Sequence, residues 1–267
     1  MPILVSARLP AATLRGIKAV IFDFDGTLYD YRLMPLRLIG LNPADLFFIW
    51  SERRTRKAFA GRDYGSAEAY YTAYFALLGK LSRRSPGAMR FWYFDHYIPR
   101  MCRVLEKYYC FRPGVEEILN RLEAHSSLPG KQLKGIAVYS DYPGLRKRFI
   151  ALGYDPGEKI RLFGPDSFGA QKPAPGPFRR IAGELGALPE ETLIIGDRED
   201  TDGKGALAAG MSFFRLDDGR RRYYRMDPDR VPPPKSEKNS NLALESIRSG
   251  SGSWETICAM LSVFFED

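Results

Sequence analysis

Residues 18–28 read KAVIFDFDGTL, and this stretch decides the fold. Ala19 to Phe22 form a short apolar run that ends in two carboxylates, Asp23 and Asp25, with Gly26 and Thr27 behind them. A run this short and this uniformly apolar fits a strand covered on both faces, as in a parallel sheet flanked by helices. Side chains alternate along a strand, so Asp23 and Asp25 project to one side and Phe24 to the other. Gly26 permits a tight turn, and Thr27 can bond to backbone groups within it. The plainer reading, two acids capping a turn, is opposed by the Gly-Thr pair that follows.

Working outward, the same pattern recurs. Strands are expected at 18–23, 134–139, 160–163, 192–196 and 211–215, with helices at 113–124, 144–153, 175–186 and 203–209 between them. Alternation of this kind specifies a doubly wound α/β domain with a parallel sheet. One gap breaks the rhythm. From Tyr29 to Arg112 no strand is visible, and a structureless loop of that length is implausible in a compact domain. Helices are expected there at about 43–60, 66–80 and 86–109, with turns at 61–63 and 85–87. Their aromatics, among them Trp50, Tyr70, Tyr74, Trp92 and Tyr93, read mainly as the core of a small bundle. The core domain is therefore expected at 1–28 and 113–267, interrupted by a helical insert at 29–112. Residues 218–252, with Arg220-Arg221-Arg222 and a Pro-rich stretch, read as a loop or linker. Residues 254–265 read as a short helix docking back on the core.

The 267 residues carry a net charge of +8, with 45% apolar and 27% charged residues, the balance of an ordinary globular chain. The basic excess is either a solvated surface or an attraction to anions. Nucleic acid is not expected as a partner, because no RNA-binding signature or helix-turn-helix pattern is visible. A membrane span is not expected either, since no apolar run approaches about 18 residues, and the first ten residues do not pattern as a signal peptide. Three dispersed cysteines fit reduced thiols and a cytoplasmic setting. The two histidines stand apart from other ligands, which argues against a His/Cys zinc site.

In a doubly wound sheet the chemistry lies beyond the carboxyl ends of the strands, where strand order reverses. Asp23 and Asp25 lie at one such end. The strand at 134–139 ends in Ser140-Asp141, and the strand at 192–196 runs into GDREDTD, supplying Asp197, Asp200 and Asp202. Between them, Gln171-Lys172-Pro173 places an ammonium on a loop before a helix. Several carboxylates converging on one place repel each other unless a divalent cation joins them, and an all-oxygen donor set suits Mg²⁺. Asp200 reads as a solvated or helix-capping acid.

These four segments, DFDGTL, Ser140 after a strand, the lysine of QKPAPGPF, and IIGDREDTDGKGALAAGM, resemble in order and spacing the four motifs of the haloacid dehalogenase superfamily. The resemblance implies a Rossmann-like core with an α-helical cap inserted after the first strand. It also implies phosphoryl transfer through an aspartyl-phosphate on a small phosphorylated metabolite. Asp23 would then be the nucleophile and Asp25 the acid/base. Mg²⁺ would be held by Asp23, the backbone carbonyl of Asp25 and Asp197, with Asp202 in support. Ser140, Lys172, Gly26, Thr27 and Asp141 would line the phosphate site.

Two departures bear on this. The family often has Asn after the second-motif hydroxyl, whereas Asp141 follows here, so its carboxylate is expected to turn away or to pair with Arg146 or Lys147. Haloalkanoate-cleaving members lack an acid at the position of Asp25, which favours phosphate chemistry. A sugar phosphomutase and a catalytically silent anion-binding module remain the alternatives, and a monomer or weak dimer is expected. The insert carries about twice as many Lys and Arg as Asp and Glu. If it closes on linkers near 29–32 and 110–113, Arg53, Arg54, Arg83 and Arg84 are candidates to select an anionic leaving group; otherwise they face solvent.

Overall fold

The computed structural model describes residues 14, 16–217 and 249–265. Its centre is a six-stranded, all-parallel sheet in the order β3-β2-β1-β4-β5-β6. The strands are β1 (Ala19–Asp23), β2 (Gly135–Tyr139), β3 (Ile160–Phe163), β4 (Thr192–Gly196), β5 (Ser212–Leu216) and β6 (Ser249–Gly252). Every residue of β1, β2 and β4 is buried, because helices cover both faces. Alternation along β1 sorts its side chains between two cores: Val20 and Phe22 pack with Ile136, Val138, Leu193 and Ile195, whereas Ala19 and Ile21 pack with Ala137, Ile194, Phe178 and Phe213. The chain runs from β1 to β2 and β3 on one side, then returns to place β4 on the other. The order therefore reverses beside β1, which opens a crevice at the carboxyl ends of β1 and β4.

The insert between β1 and β2 is helical: α1 (Met34–Leu41), α2 (Leu46–Phe59), α3 (Ala67–Ser82), α4 (Pro86–Phe91), a π-helical turn over Trp92–Tyr97, and α5 (Ile98–Tyr108). Ser66 and Ser85 cap α3 and α4, each accepting an amide hydrogen bond three residues on, and proline opens α4. The aromatics fill its interior as the pattern implied, with Tyr70, Tyr74, Tyr93 and Tyr97 buried; Phe47, Trp50 and Phe91 stand exposed. Glu52 is fully buried among them. Its charge is met by Arg56 Nε at 3.2 Å and by the hydroxyls of Tyr74 and Tyr97 at 3.0 and 3.5 Å.

After the insert come α6 (Val115–Ser126), α7 (Leu145–Ala151), the single turn α8 (Pro165–Phe168), α9 (Pro175–Glu184), α10 (Lys204–Ala209) and, after β6, α11 (Trp254–Leu261). Besides the single turn α8, two elements had no counterpart in the pattern. The helix α1 was hidden by its proline and glycine. The strand β6, SGSG, lies at the end of a stretch expected to be linker. A parallel edge strand is held by backbone hydrogen bonds to β5 and needs no apolar side chain, so hydrophobic periodicity is blind to it. The arginine run at 220–222 and the Pro-rich stretch lie outside the described residues. No helix among those described is long and apolar enough to cross a membrane.

Candidate active site

Register alone brings the site together. Asp23 pairs with Tyr139, so Ser140 follows one residue beyond the end of β1; Phe22 pairs with Ile195, so Asp197 follows Gly196 at the same edge. The loop before α9 then inserts Lys172 between the acids. Its ammonium donates to Asp23 Oδ1 at 2.6 Å and to Asp202 Oδ1 at 2.7 Å. Thr27 Oγ1 donates to Asp23 Oδ2 at 2.8 Å, tying the turn back on the strand end. Gly26 has φ +97°, and a Cβ there would collide with the Asp197 carboxylate; only glycine lets the turn and the β4 acid approach so closely.

Asp23, Asp197 and Asp202 offer carboxylate oxygens within 4.8 Å of one another. Three acids against one ammonium is an unbalanced charge. Burial, helped by Asp202 and Asp25, pushes the Asp23 carboxyl up to about 7 despite Lys172. Burial, Asp23 and Asp202 push Asp197 up to about 8. Burial likewise raises Asp202, and Asp202, Asp23 and Asp141 outweigh burial to hold Lys172 firmly protonated. Asp197 Oδ1 is buried without a hydrogen-bond partner among the described residues. A hard divalent cation, the charge and oxygen acceptor this donor set lacks, fits here.

Asp25, two residues on, sits in the opposite kind of environment. The fully buried guanidinium of Arg148 pairs with its Oδ1, Tyr29 Oη donates to it at 2.5 Å, and Ser140 Oγ donates to Oδ2 at 2.8 Å. Burial alone would raise the Asp25 carboxyl, but the Arg148 charge and these hydrogen bonds outweigh it and hold it below the usual carboxylate range. Ser140 in turn accepts from Arg148 Nη1 at 2.9 Å and Tyr142 N at 3.1 Å. Its one hydroxyl donor is thus spent on Asp25 in this conformation. Behind the turn, the buried Arg112 donates to the carbonyls of Gly26 and Thr27, both at 2.8 Å.

Other expectations are corrected. Asp141 does not pair with Arg146 or Lys147: its Oδ1 accepts from the Lys172 backbone N at 3.0 Å, and Arg146 pairs with Asp155 instead. Burial raises the Asp141 carboxyl although Lys172 pulls against it. Arg53, Arg54, Arg83 and Arg84 are all exposed, and Arg54 lies over the exposed Trp50 ring at 4.6 Å. Asp200 is exposed and paired with Arg198, as its solvated reading implied.

The residues that the sequence reading missed are Tyr29, Arg112, Arg148 and Arg56. Helical phase could have picked out two of them. On α7, Leu145, Arg148 and Phe149 form the buried face, so the last residue of the Arg146-Lys147-Arg148 run turns inward while Arg146 and Lys147 turn out. On α2, Glu52, Arg56 and Phe59 share the inner side, opposite Arg53, Arg54 and Lys57.

The insert also touches the lysine loop. Gly61 N donates to Lys172 O at 3.1 Å, Gln171 N to Arg62 O at 3.1 Å, and Tyr64 N to Gly169 O at 3.0 Å, with Arg180 and Asp63 paired at 2.8 Å. Gly169, at φ +65°, lies against the Ser66 carbonyl so closely that no side chain could stand there.

A family model for haloacid dehalogenase-like hydrolases matches residues 17–210, well over half of the chain. A glyceraldehyde 3-phosphate phosphatase from Methanopyrus kandleri is 41% identical over 70 residues, which span 25% of this chain and 29% of that relative. An N-acetylmuramic acid 6-phosphate phosphatase from Pseudomonas aeruginosa is 29% identical over 188 residues, 68% of this chain and 74% of its own. Among solved structures, a 2-haloacid dehalogenase from Pseudomonas syringae pv. tomato superposes with TM-score 0.52 at 18% identity, covering 81% of this chain and 92% of that one. A HAD phosphatase from Thermococcus onnurineus does so with TM-score 0.50 at 20% identity, covering 79% and 92%. At such identities the structural likeness concerns the fold alone.

Proposed function

Because the chain belongs to the haloacid dehalogenase-like hydrolases, we propose that it hydrolyses a small phosphomonoester through an aspartyl-phosphate on Asp23. The observation that carries this reading is the acid cluster at the switch point: a strand-end carboxylate pinned by Lys172 and Thr27, facing two further acids. Two relatives named as phosphatases of small phosphorylated compounds point to the same class of reaction.

In this reading an Asp23 oxygen attacks phosphorus, the bond from phosphorus to the alcohol oxygen breaks, and the leaving oxygen takes a proton that Asp25 has picked up from solvent on leaving Arg148. Water then attacks the acyl phosphate, gives a proton to Asp25, and releases phosphate and the free Asp23 carboxylate. Lys172 holds Asp23 in line and offers positive charge to the phosphoryl oxygens. The backbone of the Gly26–Thr27 turn, braced by Arg112, lines the phosphate site. Asp25 performs its proton transfers after leaving Arg148, Tyr29 and Ser140, and that same exchange frees the Ser140 hydroxyl for a phosphoryl oxygen. Asp141 contributes by holding the Lys172 amide rather than by touching phosphate.

Asp23, Asp197 and the Asp25 carbonyl would hold Mg²⁺, with Asp202 in support. When bound, the cation supplies the charge neutralisation that lets an anionic nucleophile meet an anionic ester. The helical insert, 29–112, serves as the cap over the crevice, resting on the lysine loop. The test is a panel of phosphorylated metabolites assayed for phosphate release with Mg²⁺ and with excess chelator. Release that needs Mg²⁺ is expected. Folded protein releasing phosphate from no ester, or working fully in chelator, would overturn the reading.

A further inference from the structure

The polar groups along the seam between insert and core are not used by the chemistry above. Gln171, next to the active-site lysine, is 1% exposed, yet neither its amide oxygen nor its amide nitrogen has a hydrogen-bond partner among the described residues. Buried amides are ordinarily paired, and one left with both ends unmet calls for a missing partner. The backbone of Gln171 is fixed to Arg62 of the insert, so the orphaned side chain is anchored at the seam itself.

Arg56 reaches the same seam from the insert. Its guanidinium carbon stands 4.3 Å from the centre of the Tyr142 ring, two residues beyond Ser140, and its charge is felt by Asp141. Tyr31 of the insert side and Tyr142 of the core close this contact, hydroxyl to hydroxyl, at 3.1 Å. Glu52 fixes Arg56 through Nε and is itself satisfied by two tyrosines, so the fork is held rigidly. The two terminal nitrogens of Arg56 make no hydrogen bond among the described residues, and the side chain is 24% exposed. A guanidinium fixed through Nε, with both terminal nitrogens left to bond elsewhere, suits an oxyanion that accepts two parallel hydrogen bonds.

We propose that this seam is the leaving-group subsite, in which Arg56 grips an anionic terminus of the substrate, carboxylate or second phosphate, and Gln171 meets a neighbouring hydroxyl or amide. The proposal rests on the phosphomonoesterase reading and adds the substrate class: an ester whose leaving group is itself an anion. It assigns to one inward arginine the selectivity that the basic composition of the insert suggested. The exposed Arg53, Arg54, Arg83 and Arg84 take no part.

The test compares three esters of one chain length, 3-phosphooxypropanoate, propane-1,3-diyl bisphosphate and 3-hydroxypropyl phosphate, with a neutral aryl phosphate as reference. The wild type, Arg56→Lys, Arg56→Gln and the exposed control Arg53→Ala are assayed with Mg²⁺, after circular dichroism establishes folding. Arg56→Lys keeps a cation beside buried Glu52 and removes only the fork, so it serves even if Arg56→Gln fails to fold. The wild type should prefer at least one anion-ended ester over the alcohol by about 10–100-fold in kcat/KM, the range of a charged hydrogen bond. Which of the two is preferred distinguishes carboxylate from phosphate. Arg56→Lys should abolish most of that preference, chiefly through KM, and Arg53→Ala should retain it.

A wild type that hydrolyses the aryl phosphate without any anion preference would overturn the subsite while leaving the hydrolase reading intact. So would a folded Arg56→Lys that keeps the preference. Hydrolysis of nothing at all would overturn the hydrolase reading, and the subsite is then judged by binding. There, 4-phosphonobutanoate should raise the Tm of the wild type more than butylphosphonate does, a difference lost in Arg56→Lys. Equal shifts from the two phosphonates in the wild type would overturn it.

Discussion

Asp23 and Asp25 are two residues apart on one strand end, yet they live under opposite electrostatics. Asp23 shares Lys172 with Asp202 and faces Asp197, so three carboxylates compete for one ammonium and their acidities are suppressed. Asp25 has Arg148 to itself, along with two hydroxyl donors, and stays ionised although it is buried. The first environment is short of positive charge and the second is complete. Adding a cation therefore stabilises one and has nothing to offer the other. In the proposed mechanism that difference divides the tasks: the underserved cluster would receive metal and phosphate, and the satisfied carboxylate would be held aside until a proton must move.

The largest effect should come from Asp23→Asn. An amide cannot form the acyl phosphate, so turnover should fall by about 10³-fold or more while the fold persists. Steady-state assays on protein with an unchanged circular dichroism spectrum check this. Near-normal activity would remove the basis for contrasting the two aspartates.

The contrast sharpens in a pair of cation deletions. Arg148→Met strands a buried charge and should lower stability by about 3–5 kcal/mol, read by urea denaturation. Lys172→Met should also destabilise, but Mg²⁺ should restore much of that loss, because the ion replaces the missing charge among Asp23, Asp197 and Asp202. Rescue of both variants, or of neither, would break the comparison.

A smaller effect follows from pH. Asp23 and Asp197 have an ordinary value of 3.8 and are held at about 7 and about 8 in the fold, so the folded chain binds more protons than the unfolded chain between these limits. Their contribution to the stability of the metal-free protein is thus full below about pH 4 and lost as pH rises through 7 to 8. Mg²⁺ binds the deprotonated acids, so the gain in Tm on adding it should grow across the same window. A gain in Tm that is independent of pH would contradict the suppressed acidities of the cluster.

Much of this was legible in the chain. Uniformly apolar runs and the abrupt Ile-Phe-Asp and Ile-Gly-Asp strand ends located Asp23 and Asp197, because a strand buried on both faces reads as an unbroken apolar run that stops where the sheet stops. The lack of any strand pattern over 29–112, in a stretch too long for a loop, marked helices, and their aromatics read as the core of a bundle. Arg148 and Arg56 were harder. Each sits in a basic run on a helix, and only the phase of that helix, set by the apolar residues that pack, says which cation turns inward. The hold of Arg148 on Asp25 is a contact across 123 positions, which no local pattern carries. The edge strand β6 left no apolar trace at all.

The most direct test of the central claim, that Asp23 carries the phosphoryl group, is to quench the protein during turnover, reduce it with borohydride and map the peptides by mass spectrometry. An acyl phosphate at Asp23 would be reduced to homoserine at that position alone. The account predicts homoserine in the peptide spanning residues 18–28, dependent on substrate and absent from Asp23→Asn. Sustained turnover with an unmodified Asp23 peptide, or reduction at another aspartate such as Asp25, would contradict it.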